Sequence, residues 1–160
     1  MRQFEIRFAT ADEVPQILAF VRKLAEYERL AHRVTVTEDD LREALFAERP
    51  CGEVLIGQSD RVAVSFALFY HTLATFAGER GLYVEDLFVE PAHRGRGIGR
   101  AMLAFLAALA RQRNCRRLEW SVLGWNAPAV KFYKSLGAEA MDDWTVYRLR
   151  GDAFDALAAR

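Results

Sequence analysis

The sequence predicts an α/β fold of the α+β kind: a mixed, mostly antiparallel sheet flanked by helices. Three observations lead there. Apolar residues recur with period two in some segments and at helical spacing in others. In the first half, two apolar strand-like runs are joined by a short polar turn, the mark of antiparallel pairing. In the second half, helical and strand-like segments alternate, without the strict alternation of a parallel doubly wound sheet.

Phe4, Ile6 and Phe8 alternate with Glu5, Arg7 and Ala9, the pattern of a half-buried strand. Thr10 stands three residues ahead of Glu13 with Pro15 close behind, a capped helix start, and Ile17, Leu18, Val21, Leu24 and Ala25 follow at helical spacing to about Glu28. Thr37-Glu38-Asp39-Asp40 opens a shorter helix that ends before Arg49-Pro50. Glu53 to Gly57 and Val62 to Tyr70 read as strands around the turn Gln58-Ser59-Asp60-Arg61, and Leu82 to Val89 as a strand that stops at Pro91. From Gly97 to about Gln112 runs a helix rich in alanine and leucine. Leu118 to Val122 is a strand, Ala127 to Leu136 a helix closed by Gly137, and Thr145 to Leu149 a last strand. There are no repeats and no linker, so residues 1–160 are expected to form one domain.

At 160 residues and 52% hydrophobic, the chain can bury a core without disulfide staples. Its 22 basic and 22 acidic residues cancel, which leaves no global field for a nucleic acid or a membrane surface. Met1-Arg2-Gln3-Phe4-Glu5-Ile6-Arg7 carries charge where a signal peptide needs an apolar run, and no segment has the length and apolarity of a membrane span. A soluble, cytoplasmic protein is expected. Cys51 and Cys115 have neither redox-motif nor zinc spacing, and His32, His71 and His93 lack a helical ligand partner, so no metal is expected.

The strongest local signal runs from Val89 through Pro91 to Arg94-Gly95-Arg96-Gly97-Ile98-Gly99-Arg100, a strand passing through a glycine-rich loop into a helix. Glycines at 95, 97 and 99 allow tight turns and leave N–H groups uncovered, while the helix start adds partial positive charge, so the loop suits a diphosphate. The dinucleotide fingerprint fails because Arg100 stands where its third glycine belongs, and a P-loop fails for want of Gly-Lys-Ser/Thr. A plain tight turn would leave Arg94, Arg96 and Arg100 unexplained, because a helix N-terminus disfavours cations by about 0.3–1 kcal/mol each unless an anion is present.

Arg94-Gly95-Arg96-Gly97-Ile98-Gly99 resembles the Q/R-x-x-G-x-G/A acetyl-coenzyme A motif of the GNAT acetyltransferase superfamily. Tyr83 to Val89, Trp125 to Tyr133 and Leu24 to Glu28 resemble diamine acetyltransferases of the spermidine/spermine or thialysine type, so the likeness covers nearly the whole chain in order. It implies a six- to seven-stranded sheet whose fourth and fifth strands splay apart to admit acetyl-CoA. It further implies pantetheine contacts along Leu87, Phe88 and Val89, diphosphate contacts from Arg94 to Arg100, and a second cofactor contact at Asn126 and Ala129. Bare sequence reads Asn126 as a helix N-cap with Pro128 in the first turn, and the two readings are compatible.

Acetyl transfer to an amine requires a deprotonated amine, a polarised thioester carbonyl and a protonated leaving thiolate. The resemblance assigns Glu85 to the amine's proton, directly or as a relay, with Asp86 pointing to the opposite face of a regular strand. It assigns Tyr133 as the acid beside the coenzyme sulfur, since a phenol at about 10 can protonate a thiolate at about 8.5; the residue alone reads as a core aromatic beside Phe132 and Leu136. A backbone N–H near Phe88 is expected to meet the developing oxyanion. Tyr27 and Glu28 match the family's amine-binding pair, although an ordinary helix end would look the same, and Asp142 and Trp144 resemble a second acidic and aromatic group of the substrate cleft.

The turn His71 to Arg80 lacks the acidic residue and tryptophan that diamine acetyltransferases place there, which removes a distal anchor for a long polyamine and leaves a shorter amine, thialysine or an amino-acid-like amine open beside the diamines and polyamines of the resemblance. A homodimer is expected by analogy with the family, through the apolar segment Trp144, Val146, Tyr147, Leu149 and Phe154. The competing readings are acetylation of a protein amine and a non-catalytic acyl-coenzyme A sensor or scaffold.

Overall fold

The structure is a computed structural model that describes residues 4–159. Met1 to Gln3, within the charged leading segment, and Arg160 lie outside it. The chain divides into two compact units, one ending at Ser121 and one beginning at Val122.

The first unit is a five-stranded sheet in sequence order, built from β1 (Phe4–Phe8), β2 (Glu53–Ser59), β3 (Val62–Ala74), β4 (Glu79–Val89) and β5 (Cys115–Trp120). The first three pairings are antiparallel and β4–β5 is parallel. β2 and β3 meet in the two-residue turn Asp60-Arg61, whose φ values of 51° and 68° are the left-handed pair that matches a twisted hairpin.

α1 (Val14–Tyr27) follows a 3-10 turn over Ala11–Glu13, where the expected capping box forms: Glu13 Oε2 accepts from the Thr10 backbone N–H at 3.0 Å. α2 (Glu38–Phe46) starts on a second box, with Thr37 Oγ1 accepting from Asp40 N at 3.2 Å. Both helices lay Val14, Ile17, Leu18, Phe20, Leu41 and Leu45 on Val54, Ile56, Phe66 and Phe88. Phe20 stacks on Phe66 with ring centroids 5.3 Å apart and planes 3° apart. The other face takes α3 (Ile98–Gln112), whose Met102 reaches the sheet beside Gly57 and Ser65. A Cβ at Gly57 would stand 2.2 Å from Ser65 Oγ and 3.1 Å from Met102 Sδ, so the approach there requires glycine.

In the second unit, Asn126 caps α4 (Ala127–Ser135), its Oδ1 accepting from Ala129 N at 3.3 Å, with Pro128 in the first turn. Gly137, at φ 86°, closes the helix as its N–H donates to the Lys134 carbonyl. Residues 138–150 have no regular secondary structure, and α5 spans Asp152–Ala158.

The strand expected over Thr145 to Leu149 is therefore not formed, and the described residues carry five strands rather than six or seven. A strand needs a neighbour to take its N–H and C=O groups. Among the described residues from Val122 onward there is no other strand to provide one.

Candidate active site

The sheet opens where the sequence places its functional residues. β5 pairs with β4 only from Arg80 to Val84, whereas β3 accompanies β4 as far as Val89. Residues 85–89 thus present one backbone edge that β5 has left, the splay expected between the fourth and fifth strands. Register decides which groups lie on that edge. Glu90 N–H donates to the Val64 carbonyl at 2.8 Å, so Glu90, Phe88 and Asp86 direct their main-chain groups at β3, and the alternate residues Leu87 and Val89 direct theirs away from it. The Phe88 N–H is consumed in the ladder and its ring lies in the core. Of the three residues expected to contact pantetheine, Leu87 and Val89 thus have main-chain groups on the open edge, and Phe88, also the expected place of the oxyanion donor, does not.

Beyond this edge, Pro91–His93 forms a 3-10 turn and the glycine loop leads into α3. Gly95 and Gly97 stand at φ 71° and 80°, and an added Cβ would meet nothing within 4 Å at either. Conformation demands glycine at these two positions, while the space beside them is open. The first N–H groups of α3 have no intrahelical acceptor. Open space beside unspent donors and a helix dipole fits a diphosphate. Among the three loop arginines, Arg94 has a structural tie: its Nε donates to the Val89 carbonyl at 2.9 Å, and its guanidinium lies 4.6 Å from the Tyr27 ring and 5.6 Å from that of Phe88. Lys23 and Glu90 form an ion pair from α1 to the end of β4.

The acceptor side is built on a β-bulge. Leu68 faces Asp86 and Phe69 faces Val84, which leaves Glu85 as an extra residue in β4. Phe66, Leu68 and Tyr70 alternate along β3 on one face, opposite Phe88, Asp86 and Tyr83 respectively. Asp86 and Tyr83, three residues apart, consequently share that face. The expectation that Asp86 points away from Glu85's neighbourhood fails, because the bulge interrupts the alternation on which it rested. Tyr70 Oη donates to Glu85 Oε2 at 3.4 Å and stacks on Tyr83 at 5.3 Å, and the Tyr83 hydroxyl bonds that of Ser121.

Burial first, then the charges of Glu85 and Glu28, push the Asp86 carboxyl up to about 6. Burial also raises Glu28, and it raises Tyr70 with help from the Glu85 charge. Glu28 and Glu85 thus act on Asp86 through their charge, while Arg94 lies over the ring of Tyr27, the residue before Glu28. Sequence reasoning missed Asp86 and Tyr70 as members of this cluster, and only the β3–β4 register discloses them. Asn126 caps α4, and Ala129 and Tyr133 lie on it, with the Tyr133 ring 5.4 Å from that of Phe132. Asp142 and Trp144 lie in the irregular segment that follows. These five belong to the second unit. Among the described residues, no group of three or more His, Cys, Asp or Glu side chains could hold a metal ion.

A meander whose fourth strand loses its neighbour just before a glycine loop and a helix N-terminus defines the frame of a coenzyme A-dependent acyltransferase. The chain belongs to the acetyltransferase (GNAT) family, whose sequence profile matches residues 19–138, and it is an N-acetyltransferase. It is 34% identical to the thialysine N-epsilon-acetyltransferase of Mus musculus over 171 aligned positions, covering 100% of both chains. It is 28% identical to the L-ornithine N5-acetyltransferase of Arabidopsis thaliana, with 95% of this chain and 86% of that protein covered. Among solved structures, an integron cassette protein from the mobile metagenome of V. cholerae superposes with a TM-score of 0.82 at 28% identity, covering 98% of each chain.

Proposed function

We propose that the protein transfers the acetyl group of acetyl-CoA to a primary amine of a small molecule, a diamine, polyamine or thialysine-like compound, by direct attack within a ternary complex. The observation that carries this reading is the acidic bulge beside the open edge of β4. Glu28, Glu85 and Asp86 suit a cationic amine, and Tyr27 and Tyr70 add aromatic walls. The names of relatives that act on thialysine and ornithine agree with it.

Acetyl-CoA supplies the activated thioester. Leu87 and Val89 offer main-chain groups to its pantetheine arm, the amides from Gly95 to Arg100 hold its diphosphate, and Asn126 and Ala129 form the second contact. Glu85, oriented by Tyr70, anchors the incoming ammonium. Asp86 takes the proton, since a carboxyl near 6 is a stronger base than an ordinary one and is still ionised at neutral pH. As the C–N bond forms, the Leu87 N–H meets the negative charge on the carbonyl oxygen. As the C–S bond breaks, Tyr133 gives its proton to the thiolate, and the second proton lost by the nitrogen restores the tyrosine through solvent. Tyr27 and Glu28 are the amine's contacts at the end of α1, and Asp142 and Trp144 are further amine contacts that the resemblance implies.

The two units serve one domain over residues 1–160, a reading supported by a family match that crosses their boundary. A homodimer in the cytoplasm is the assembly we favour, its contact supplied by Trp144, Val146, Tyr147 and Leu149, all exposed in the single chain. Light scattering of the purified protein at twice the chain mass is the expected result.

The test of function is coenzyme A thiol release with the full chain, acetyl-CoA and a panel of diamines, polyamines and amino acids bearing a second amine. Thiol release that depends on amine and is lost in Asp86→Asn supports the reading. Release that ignores added amine overturns it.

A further inference from the structure

The sheet face that carries the acidic bulge continues away from it, and what stands there is neither apolar nor purely acidic. Past Tyr83, β4 reaches Gly81, with Thr72 beside it on β3 and Arg117 beside it on β5, while Glu119 lies beside Tyr83. The Arg117 stem crosses over Gly81: a Cβ at that position would fall 2.7 Å from Arg117 Cγ and 2.8 Å from both Arg117 Nε and Thr72 Oγ1. Glycine at 81 thus makes the room in which the guanidinium lies.

Arg117 Nε stands 3.0 Å from Glu119 Oε2, an ion pair by distance whose N–H is not aimed at the carboxylate. Arg117 Nε is buried without a hydrogen-bond acceptor among the described residues, and so is Thr72 Oγ1. Buried donors of this kind are uncommon and await an acceptor. Both side chains of the pair remain about one-third exposed, at 34% and 37%, so a solute can reach them.

Resting on the amine acetyltransferase reading above, we infer that Arg117 and Glu119 form a zwitterion subsite that selects an α-amino acid as acceptor: Glu119 takes the α-ammonium, Arg117 the α-carboxylate, while the side-chain amine lies at Glu85. Distance agrees. Glu85 and Tyr83 are two residues apart, about 6–7 Å along a strand, and Glu119 lies one strand over, about 5 Å. Together these place Glu119 about 8 Å from Glu85, and an extended lysine spans about 7–8 Å from its side-chain nitrogen to its α-nitrogen, with ornithine one bond shorter. The stacked rings of Tyr70 and Tyr83 floor the methylene chain between the two ends. Charge agrees as well, because a polyamine threaded along this face would bring its second ammonium against the Arg117 guanidinium, whereas an α-carboxylate satisfies it.

The test compares kcat/KM of the full chain, with saturating acetyl-CoA, for L-ornithine and L-lysine against putrescine and cadaverine, which have the same chains without the carboxylate. The wild type should prefer the amino acids by about tenfold or more, the effect of one charge-assisted contact. Arg117→Gln should bring that ratio toward unity by raising KM for the amino acids with little change in their kcat. Arg117→Lys, which keeps the charge and the stem over Gly81, should retain most of the preference and separates loss of charge from loss of fold. Glu119→Gln should raise KM for amino acids and diamines alike, leaving the ratio in place. Equal or better use of the diamines by the wild type, or a ratio untouched by Arg117→Gln, overturns the subsite while leaving amine acetylation standing. No turnover of any of the four, with acetyl-CoA still bound in calorimetry, removes both.

Discussion

Asp86 is the group at which stability and the proposed chemistry can be tested together. Its carboxyl, ordinarily near 3.8, is held at about 6 by burial and by the charges of Glu85 and Glu28. The folded state therefore holds a proton that the unfolded chain releases over this interval. Stability associated with Asp86 is fully present below 3.8 and declines as pH rises through about 6. Above that point the charged carboxylate costs the fold about 3 kcal/mol, the free-energy equivalent of the raised pKa. Asp86→Asn removes the charge and keeps the shape. It should stabilise the protein by about 1–3 kcal/mol near pH 8, part of the gain being spent on burying the amide, and have little effect near pH 4. Urea unfolding of both proteins across that range measures the difference. The same variant should lose about 10²–10⁴ in kcat, the scale of a missing general base. A variant no more stable than wild type near pH 8, or one equally stabilised at both ends, would refute the description of Asp86 as a buried carboxyl among like charges.

Other substitutions probe separate parts of the molecule. Gly97→Ala forces a left-handed residue at φ 80° and should cost about 1–2 kcal/mol in thermal unfolding, together with a weaker acetyl-CoA affinity in calorimetry. Gly57→Ala drives a methyl group to 2.2 Å from Ser65 Oγ and should destabilise the fold by about 1–3 kcal/mol without a specific effect on KM. Glu13, which hydrogen bonding to Arg7 lowers to about 2, contributes stability that is present above 4.5 and lost as pH falls through about 2. Glu13→Gln should lower stability by about 1 kcal/mol at neutral pH, an amount limited by the partial exposure of both partners, and the difference should vanish in acid. Tyr70→Phe removes the hydroxyl that donates to Glu85 and should raise the amine KM by about five- to tenfold, consistent with loss of one hydrogen bond to a charged group.

The local rules were legible where a residue's neighbours in sequence are also its neighbours in space. The capping boxes at Thr10 and Thr37, the Asn126 cap, the Gly137 closure and the β2–β3 hairpin follow from spacing and turn chemistry, whereas most of His71 to Arg80, read as a turn, extends β3 and β4 into a tighter hairpin. What the sequence could not disclose depends on pairing. The bulge at Glu85 exists only against Leu68 and Phe69, and it turns Asp86 onto the face of Tyr83. The choice of Leu87 and Val89 over Phe88 as edge donors follows from one backbone bond, Glu90 to Val64. Thr145 to Leu149 carries strand-like residues, yet residue preference is a weak guide where no partner strand is at hand. The glycine loop was conspicuous because its proposed function resides in main-chain groups, and glycine is the residue type that announces them.

Those main-chain groups offer the most direct test. Amide chemical shifts of the labelled protein, recorded during titration with acetyl-CoA, should move most at Leu87, Val89 and from Gly95 to Arg100, with Phe88 changing less because its N–H stays bonded to β3. Absence of saturable shifts, or shifts centred elsewhere in the sheet, would contradict the account.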